Sequence, residues 1–89
     1  MEIKIYTLPK CSYCLKLKGL LDDTKIKYKT VDISLDENEA EFDVLMKLSG
    51  SDSVPMVTVG QNLLAPDINF HSIDQAFELI QHIIKTETK

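Results

Sequence analysis

The chain lacks any apolar run long enough to cross a bilayer. A transmembrane helix needs about 18 to 20 consecutive apolar residues, and none of the 89 residues lies in such a stretch. Residues 1–4 lead straight into a strand pattern, without the basic, apolar and small-residue zones of a signal peptide. We therefore expect no membrane partner and a cytoplasmic location. Repeats, linkers and low-complexity segments are also missing, which predicts one domain, 1–89, and a monomer.

Positive charge is too scarce for a nucleic-acid partner. The formal net charge is −4, and a nucleic-acid-binding domain of this size is usually basic. The charge is nevertheless uneven, because residues 32–43 carry acidic charges alone. Two interpretations stay open for the basic first third of the chain: a solvated face, or a rim near the thiols that attracts an anionic substrate. Its lysines are Lys4, Lys10, Lys16, Lys18, Lys25, Lys27 and Lys29.

Thiol and imidazole side chains are few. The chain has two cysteines, Cys11 and Cys14, and two histidines, His71 and His82. A disulfide closing so short a loop would remove little unfolded-state entropy, and cytosolic thiols are mostly reduced. A zinc site needs about four ligands, and the two histidines stand eleven positions apart. We therefore favour a redox pair over zinc ligands or inert core cysteines, and we expect no metal site.

The cysteine pair stands at a predicted strand-to-helix junction. Cys11 lies where the unpaired N–H groups and the positive dipole end of the helix converge. That field favours the thiolate and lowers a cysteine pKa, and the thiolate is the nucleophile in disulfide exchange. Cys14 lies one turn inside the helix, where its sulfur can attack a mixed disulfide on Cys11. The pair is therefore predicted to be a reversible two-electron switch.

Hydrophobic periodicity predicts four strands and three helices in the order β-α-β-α-β-β-α. Possible capping boxes start at Ser34, Asp36 and Ser72, and Gly50 is predicted to end the second helix as a left-handed cap. A right-handed βαβ unit and a closing hairpin give a four-stranded mixed sheet with helices on both faces, in the α/β class. The predicted strands are 3–7 (central), 27–33, 56–59 and 62–65; the helices are 12–23, 37–49 and 73–85, before a frayed tail at 86–89.

Some side chains have a packing role in this scheme. Gly19 lies in mid-helix, where we expect close packing to explain a glycine, and Phe70 is interpreted as a packing plug. The apolar side of the second helix is predicted to be Ala40, Phe42, Val44, Leu45, Met46 and Leu48.

Three features together resemble the thioredoxin fold, and most closely the glutaredoxins. They are the Cys11-Ser12-Tyr13-Cys14 motif after the first strand, Val54-Pro55 before the third, and the element order. The segment 5–14, IYTLPKCSYC, is similar to the glutaredoxin active-site segment. In the same alignment, further matches to the glutaredoxin pattern are Tyr28 and residues 31–33, 49–50 and 53–55.

The resemblance implies roles for individual residues. Cys11 would be the exposed nucleophile and Cys14 the resolving thiol. Pro55 would follow a cis bond and turn the Val54 backbone toward glutathione or a cysteine peptide, while Tyr13 would shield the thiols and contact the ligand. Lys10 would be the cation beside the thiolate, since Leu8 stands where glutaredoxins commonly carry lysine.

The last part of the chain departs from the glutaredoxin pattern, because the usual Gly-Gly pair is missing after the fourth strand. Ser72 and Asp74 begin the last helix, whose free N–H groups could bind a carboxylate of glutathione. The segment 69–71, Asn-Phe-His, is similar to NrdH-type redoxins, which accept electrons from thioredoxin reductase.

The resemblance implies a glutathione-linked dithiol oxidoreductase that reduces protein disulfides, with ribonucleotide reductase as one expected client. Glutathione would be its co-substrate, and no bound cofactor is expected. One alternative is an NrdH-like redoxin that thioredoxin reductase recharges. An alternative of another class is a carrier of a metal ion or an iron–sulfur cluster.

Overall fold

The computed structural model describes residues 2–87 and contains a four-stranded mixed sheet with three α-helices. The strand order is β2-β1-β3-β4; β1 runs parallel to β2 and antiparallel to β3, and β3 is antiparallel to β4. The predicted element order and the central position of β1 are confirmed. The elements are β1 (Ile3–Thr7), α1 (Ser12–Asp23), β2 (Lys29–Asp32), a 3-10 turn (Asp36–Asn38), α2 (Glu39–Ser49), β3 (Met56–Val59), β4 (Asn62–Leu64) and α3 (Ile73–Glu87).

Alternating side chains of the central strands build a core on each face of the sheet. Ile3 and Ile5 of β1 pack with α1 and α3 on one face, whereas Tyr6 packs with α2 on the other. This is the period-two alternation that a strand imposes. The first core contains Ile3, Ile5, Leu17, Leu21, Val57, Val59, Leu64, Phe70, Ile73, Ala76 and Ile80, and the second contains Tyr6, Phe42, Met56 and Ala65.

Helix α1 has the predicted bounds and buries Cys14, Leu17 and Leu21. The expectation that Gly19 is explained by close packing is wrong. Gly19 is exposed, and a Cβ added there would meet no atom within 4 Å apart from its chain neighbours and the backbone of its own helix.

Helix α2 begins later than predicted, and the capping boxes at Ser34 and Asp36 do not form. The Ser34 hydroxyl and backbone N–H both donate to the Asp32 carboxylate, at 2.6 and 2.9 Å. With that hydroxyl engaged, the chain passes through the 3-10 turn before α2 starts, and Asn38 makes no side-chain cap bond. Gly50 is confirmed as the left-handed cap, with φ 78°, and its N–H donates to the Met46 carbonyl.

Part of the apolar side predicted for α2 is wrong. Phe42 is buried in the second core, and Leu45 and Met46 pack partly buried against that core. Val44 and Leu48, however, are 56% and 73% exposed. The helix therefore covers its face of the sheet with fewer residues than the pattern suggested. Ala40 is also exposed.

Strands β2 and β4 are shorter than predicted. β2 spans 29–32 and pairs there with β1. Residues 27–28 lie outside the strand, whereas Ile33 follows it and still donates its N–H to the Thr7 carbonyl of β1 at 2.9 Å. Ala65 leaves β4 because its N–H donates to the Asn69 side chain, at 2.9 Å.

Helix α3 buries Ile73, Ala76 and Ile80 at helical spacing, and Ser72 caps its start as predicted. The Ser72 hydroxyl accepts the N–H of Gln75 at 3.2 Å, while the Gln75 side chain accepts from the N–H of His71. A capping box would have directed that side chain to the Ser72 N–H. The helix continues to Glu87, so the predicted tail is wrong for Thr86 and Glu87, and residues 88–89 lie outside the described part. None of the helices in 2–87 combines the length and apolarity that a membrane crossing requires.

Candidate active site at the Cys11–Cys14 disulfide

A tight loop between β1 and α1 positions Cys11. The Cys11 N–H donates to the Leu8 carbonyl at 3.3 Å, and Lys10 takes a left-handed backbone with φ 66°. Cys11 itself is extended and is the N-cap of α1, whose first turn closes with the Leu15 N–H on the Cys11 carbonyl at 3.1 Å. The loop therefore places the Cys11 side chain ahead of the first helical turn.

The two sulfurs differ in their surroundings. Cys11 is partly buried, and its Sγ accepts the backbone N–H of Cys14 at 3.2 Å. Cys14 is only 1% exposed, and its Sγ is joined to that of Cys11 in a disulfide, with 5.2 Å between the Cα atoms. The predicted redox pair is therefore in bonding contact, with one accessible sulfur and one shielded sulfur. A helical N–H directed at Cys11 Sγ also favours a thiolate there after reduction.

A cavity of about 320 Å³ gathers four of the predicted ligand-binding residues, and we call it the Pro55 cavity. The Val54–Pro55 peptide bond is cis, as the resemblance implied. Tyr13 is 65% exposed at the rim of the cavity. The lining residues are Tyr13, Ser53, Val54, Pro55, Pro66, Asp67, Phe70, His71, Ser72 and Ile73.

Asp67 and His71, which the sequence did not mark as site residues, reach the Pro55 cavity through a hydrogen-bonded loop. Ala65 and Asn69 bond reciprocally, since the Asn69 N–H donates to the Ala65 carbonyl at 2.9 Å and the Asn69 side chain accepts from the Ala65 N–H. The loop brings Asp67 Oδ1 within 3.8 Å of His71 Nδ1. Phe70, 3% exposed, is confirmed as a packing plug and also forms part of the cavity wall.

A second cavity of about 320 Å³ contains the reactive residues themselves, and we call it the disulfide cavity. It brings Lys10 together with Cys11 and Cys14. It also includes several residues that sequence reasoning did not assign to the site. Its lining is Thr7, Leu8, Pro9, Lys10, Cys11, Cys14, Leu15, Lys18, Thr30 and Asp32.

Asp32 is a charged residue in this lining that the sequence could have indicated. It ends β2, which is parallel to β1, and it pairs in register with Thr7 just before the cysteine loop. The carboxyl ends of parallel strands meet at one edge, where α/β proteins often have their sites. The hydroxyl and N–H of Ser34 donate to Asp32 and hold the pKa of its carboxyl below the ordinary value, with a smaller contribution from Lys18.

Asp74, predicted as a ligand contact, does not line the Pro55 or the disulfide cavity. Its carboxylate lies 3.9 Å from Lys16 Nζ on α1, and both side chains are exposed.

Lys29 pairs with Glu2 at 2.9 Å. Of the lysines in the basic first third, Lys10 and Lys18 line the disulfide cavity. Within residues 2–87, no cluster of three or more His, Cys, Asp or Glu side chains is arranged to hold a metal ion.

Comparison with known protein families shows to which family the chain belongs. The family model described as Glutaredoxin matches residues 3–64, which include the cysteine pair, Val54-Pro55 and all four strands. The chain belongs to the glutaredoxin family.

Individual relatives of this glutaredoxin-family chain match it over different lengths. Glutaredoxin 1 of Rickettsia felis is 35% identical over 57 residues, covering 64% of this chain and 56% of the relative. The mitochondrial Glutaredoxin-2 of Bos taurus is 28% identical over 79 residues, covering 88% of this chain and 50% of the relative. The chain thus spans about half the length of the curated relatives it matches.

A solved structure supports the fold. The buckwheat glutaredoxin–glutathione complex aligns with a TM-score of 0.70 at 21% identity, covering 90% of this chain and 68% of that one. The chain therefore has the thioredoxin fold that the element order predicted.

Proposed function

We propose that this glutaredoxin-family chain is a dithiol thiol–disulfide oxidoreductase that reduces protein disulfides. The observation that carries the proposal is the asymmetric pair at the start of α1. Cys11 is reachable and accepts a helical N–H, while Cys14 is buried and bonded to it. This pairing suits a thiol that attacks first and a thiol that resolves second.

The reaction proceeds in two exchanges. The Cys11 thiolate attacks one sulfur of the substrate disulfide, forms a mixed disulfide, and releases the other substrate sulfur as a thiolate that takes a proton. Cys14 then loses its proton and attacks Cys11 Sγ, which forms the Cys11–Cys14 disulfide and releases the second substrate thiol. Two electrons pass from the dithiol to the substrate.

We propose glutathione as the reductant of the oxidised form. One glutathione thiolate opens the protein disulfide, and a second displaces the first as glutathione disulfide, which restores both thiols. The Pro55 cavity supports this assignment because its lining combines Val54, Pro55 and Ser72 with Tyr13, which stands between the two cysteines in the sequence. A buckwheat relative of the same fold is known as a glutathione complex. Lys10 would stabilise the Cys11 thiolate, and ribonucleotide reductase is the proposed client.

A second candidate is reduction by thioredoxin reductase, and the loop before α3 favours it. The reciprocal Ala65–Asn69 bonds fix this loop, and it places the Asp67 carboxylate at the Pro55 cavity. A carboxylate there would repel the carboxylates of glutathione. With either donor, a reducing compartment such as the cytoplasm would keep the pair as a dithiol.

Coupled assays separate these donors. Purified protein receives a protein disulfide and NADPH, with either glutathione plus glutathione reductase or thioredoxin reductase alone. We expect NADPH consumption with the glutathione system and none with a Cys11→Ser control. Consumption with thioredoxin reductase alone would transfer the assignment to the second candidate. No consumption with either system, together with bound iron or zinc in the purified protein, would instead favour a carrier.

A further inference from the structure

The disulfide cavity is one part of the surface that a substrate protein can contact while its sulfur exchanges with Cys11. Both cysteines line this cavity, whereas neither lines the Pro55 cavity. A sulfur that exchanges with Cys11 must come within bonding distance of Cys11 Sγ. Residues that flank a substrate cysteine can therefore contact this lining while glutathione is assigned to the Pro55 cavity.

Two leucines make one part of the lining apolar. Leu8 in the loop and Leu15 in the first turn of α1 are 41% and 63% exposed, and both line the cavity that contains Cys11. Single exposed leucines are common on protein surfaces. Two that share one cavity with a reactive sulfur offer a place to bury an apolar side chain of a partner.

Lysines give the same lining a positive balance on a chain whose net charge is −4. Lys10 and Lys18 line the cavity together with one carboxylate, that of Asp32. The Ser34 hydroxyl and N–H donate to Asp32 and keep its carboxylate ionised, so the two lysines exceed it by one positive charge. The remaining positive charge would favour approach of an acidic segment.

We propose that the disulfide cavity docks the cysteine-containing segment of a substrate protein, and that it selects segments with apolar residues beside the cysteine and acidic residues outside them. This inference rests on the oxidoreductase function proposed above. It adds to that function the chemical class of polypeptide that is reduced fastest.

Three synthetic peptides test the selection, each with its cysteine linked to 2-nitro-5-thiobenzoate, whose release is coloured. They are Glu-Leu-Cys-Leu-Glu, Lys-Leu-Cys-Leu-Lys and Glu-Ser-Cys-Ser-Glu, and the 2-mercaptoethanol conjugate is a reference without flanking residues. We expect the kcat/KM of the reduced protein to be about 10-fold higher for the acidic leucine peptide than for the lysine peptide. Added salt should reduce this ratio, because it screens exposed charges.

Variants assign the selection to the named residues. The double variant Leu8→Ser, Leu15→Ser should lower the preference for the leucine peptide over the serine peptide, and Lys18→Gln should lower the preference for acidic flanks. Leu48→Ser is the matched control, because Leu48 is 73% exposed on α2 and does not line the cavity. It should change neither ratio.

Several results would overturn the inference. Equal kcat/KM for acidic and basic peptides would do so, as would variants that slow the 2-mercaptoethanol conjugate as much as the peptides. A dimer in sedimentation that Leu8→Ser converts to a monomer would assign the surface to a second copy of the chain. Failure to reduce any conjugate would overturn the oxidoreductase function itself, and this inference with it.

Discussion

Cys11 and Cys14 lie in one short motif, yet the helix start gives their sulfurs different chemistry. Cys11 precedes the helix and accepts an N–H, so its thiolate is stabilised and accessible. Cys14 lies within the first turn of α1 at 1% exposure, where burial disfavours a thiolate. The order of attack in the proposed reaction follows from this difference.

The variant Cys14→Ser should trap substrate on the protein. Cys11 can still attack, but no second thiol releases the mixed disulfide, so the adduct accumulates. Intact-protein mass spectrometry after incubation with a disulfide-containing protein should show one covalent adduct per chain. The adduct should disappear with dithiothreitol.

Cys11→Ser is the matched control and should give no adduct, because the buried sulfur alone is not accessible. Undiminished multiple turnover of protein disulfides by Cys14→Ser would contradict the two-cysteine mechanism.

Among individual residues, the sequence indicated those with a local chemical signature. It missed the residues whose role depends on where the fold places them. The cysteine motif and Val54-Pro55 could be recognised because their spacing carries the signal. Asp67 reaches the Pro55 cavity through a loop whose bonds, those of Asn69 with Ala65, have no periodicity to reveal them. Asp74 was predicted as a glutathione contact at the start of the last helix; its carboxylate lies 3.9 Å from Lys16 Nζ on α1, a contact between helices that no local pattern shows.

Among the elements, helix α1 positions the cysteine pair, and it contains one residue, Gly19, whose replacement should stabilise the helix. Gly19 is exposed in mid-helix, and a Cβ there would come within 4 Å of nothing beyond its chain neighbours and its own helix backbone. Gly19→Ala should therefore raise the free energy of unfolding by about 1 kcal/mol, since alanine loses less backbone entropy in a helix than glycine. Urea unfolding followed by circular dichroism measures the change.

Gly50→Ala is the opposite control for the same experiment. Gly50 ends α2 with φ 78°, where a Cβ costs about 1 to 2 kcal/mol, so this variant should lose stability. A destabilised Gly19→Ala protein would mean that the α1 surface has a packing constraint at this position.

The three helices show when a sequence pattern predicts an element well. α1 and α3 have apolar residues at helical spacing on one face, and Ser72 makes the expected cap bond. For α2, two capping patterns overlapped, and the Ser34 hydroxyl donates to Asp32 instead of capping. Val44 and Leu48 belong to the apolar pattern but remain exposed, because burial depends on how much of the sheet the helix covers.

Across the whole molecule, a polar contact links the central strand to the second helix. The Tyr6 hydroxyl of β1 donates to the Glu41 carboxylate of α2, and Lys4 Nζ lies 3.5 Å from the same carboxylate. Burial, followed by the hydrogen bond and the negative charge of Glu41, raises the pKa of Tyr6 above its ordinary value. The folded protein therefore holds this proton in a pH range where the unfolded chain releases it.

This difference predicts a loss of stability in alkaline solution. The contribution of Tyr6 is complete below the unfolded tyrosine pKa of about 10 and decreases as the pH rises from there toward the higher folded-state pKa. Urea unfolding at a series of pH values from 8 to 11 should show a falling free energy of unfolding above pH 10. Tyr6→Phe should make this fall less steep.

Tyr28→Phe provides the comparison, because burial and the Asp22 hydrogen bond also raise the pKa of the Tyr28 hydroxyl. Tyr28→Phe should further reduce the decrease in the free energy of unfolding as the pH rises above 10. An alkaline slope that is unchanged in Tyr6→Phe would contradict the proton linkage assigned to the Tyr6–Glu41 contact.

The function of the whole chain depends on whether the fold makes Cys11 a thiolate near neutral pH, and titration of the single remaining thiol in Cys14→Ser measures this directly. Thiolate absorbance at 240 nm, followed from pH 3 to pH 10, gives the midpoint. We predict a pKa for Cys11 clearly below the value of about 8.5 for free cysteine. A midpoint at or above 8.5 would contradict the proposal that the start of α1 activates this sulfur.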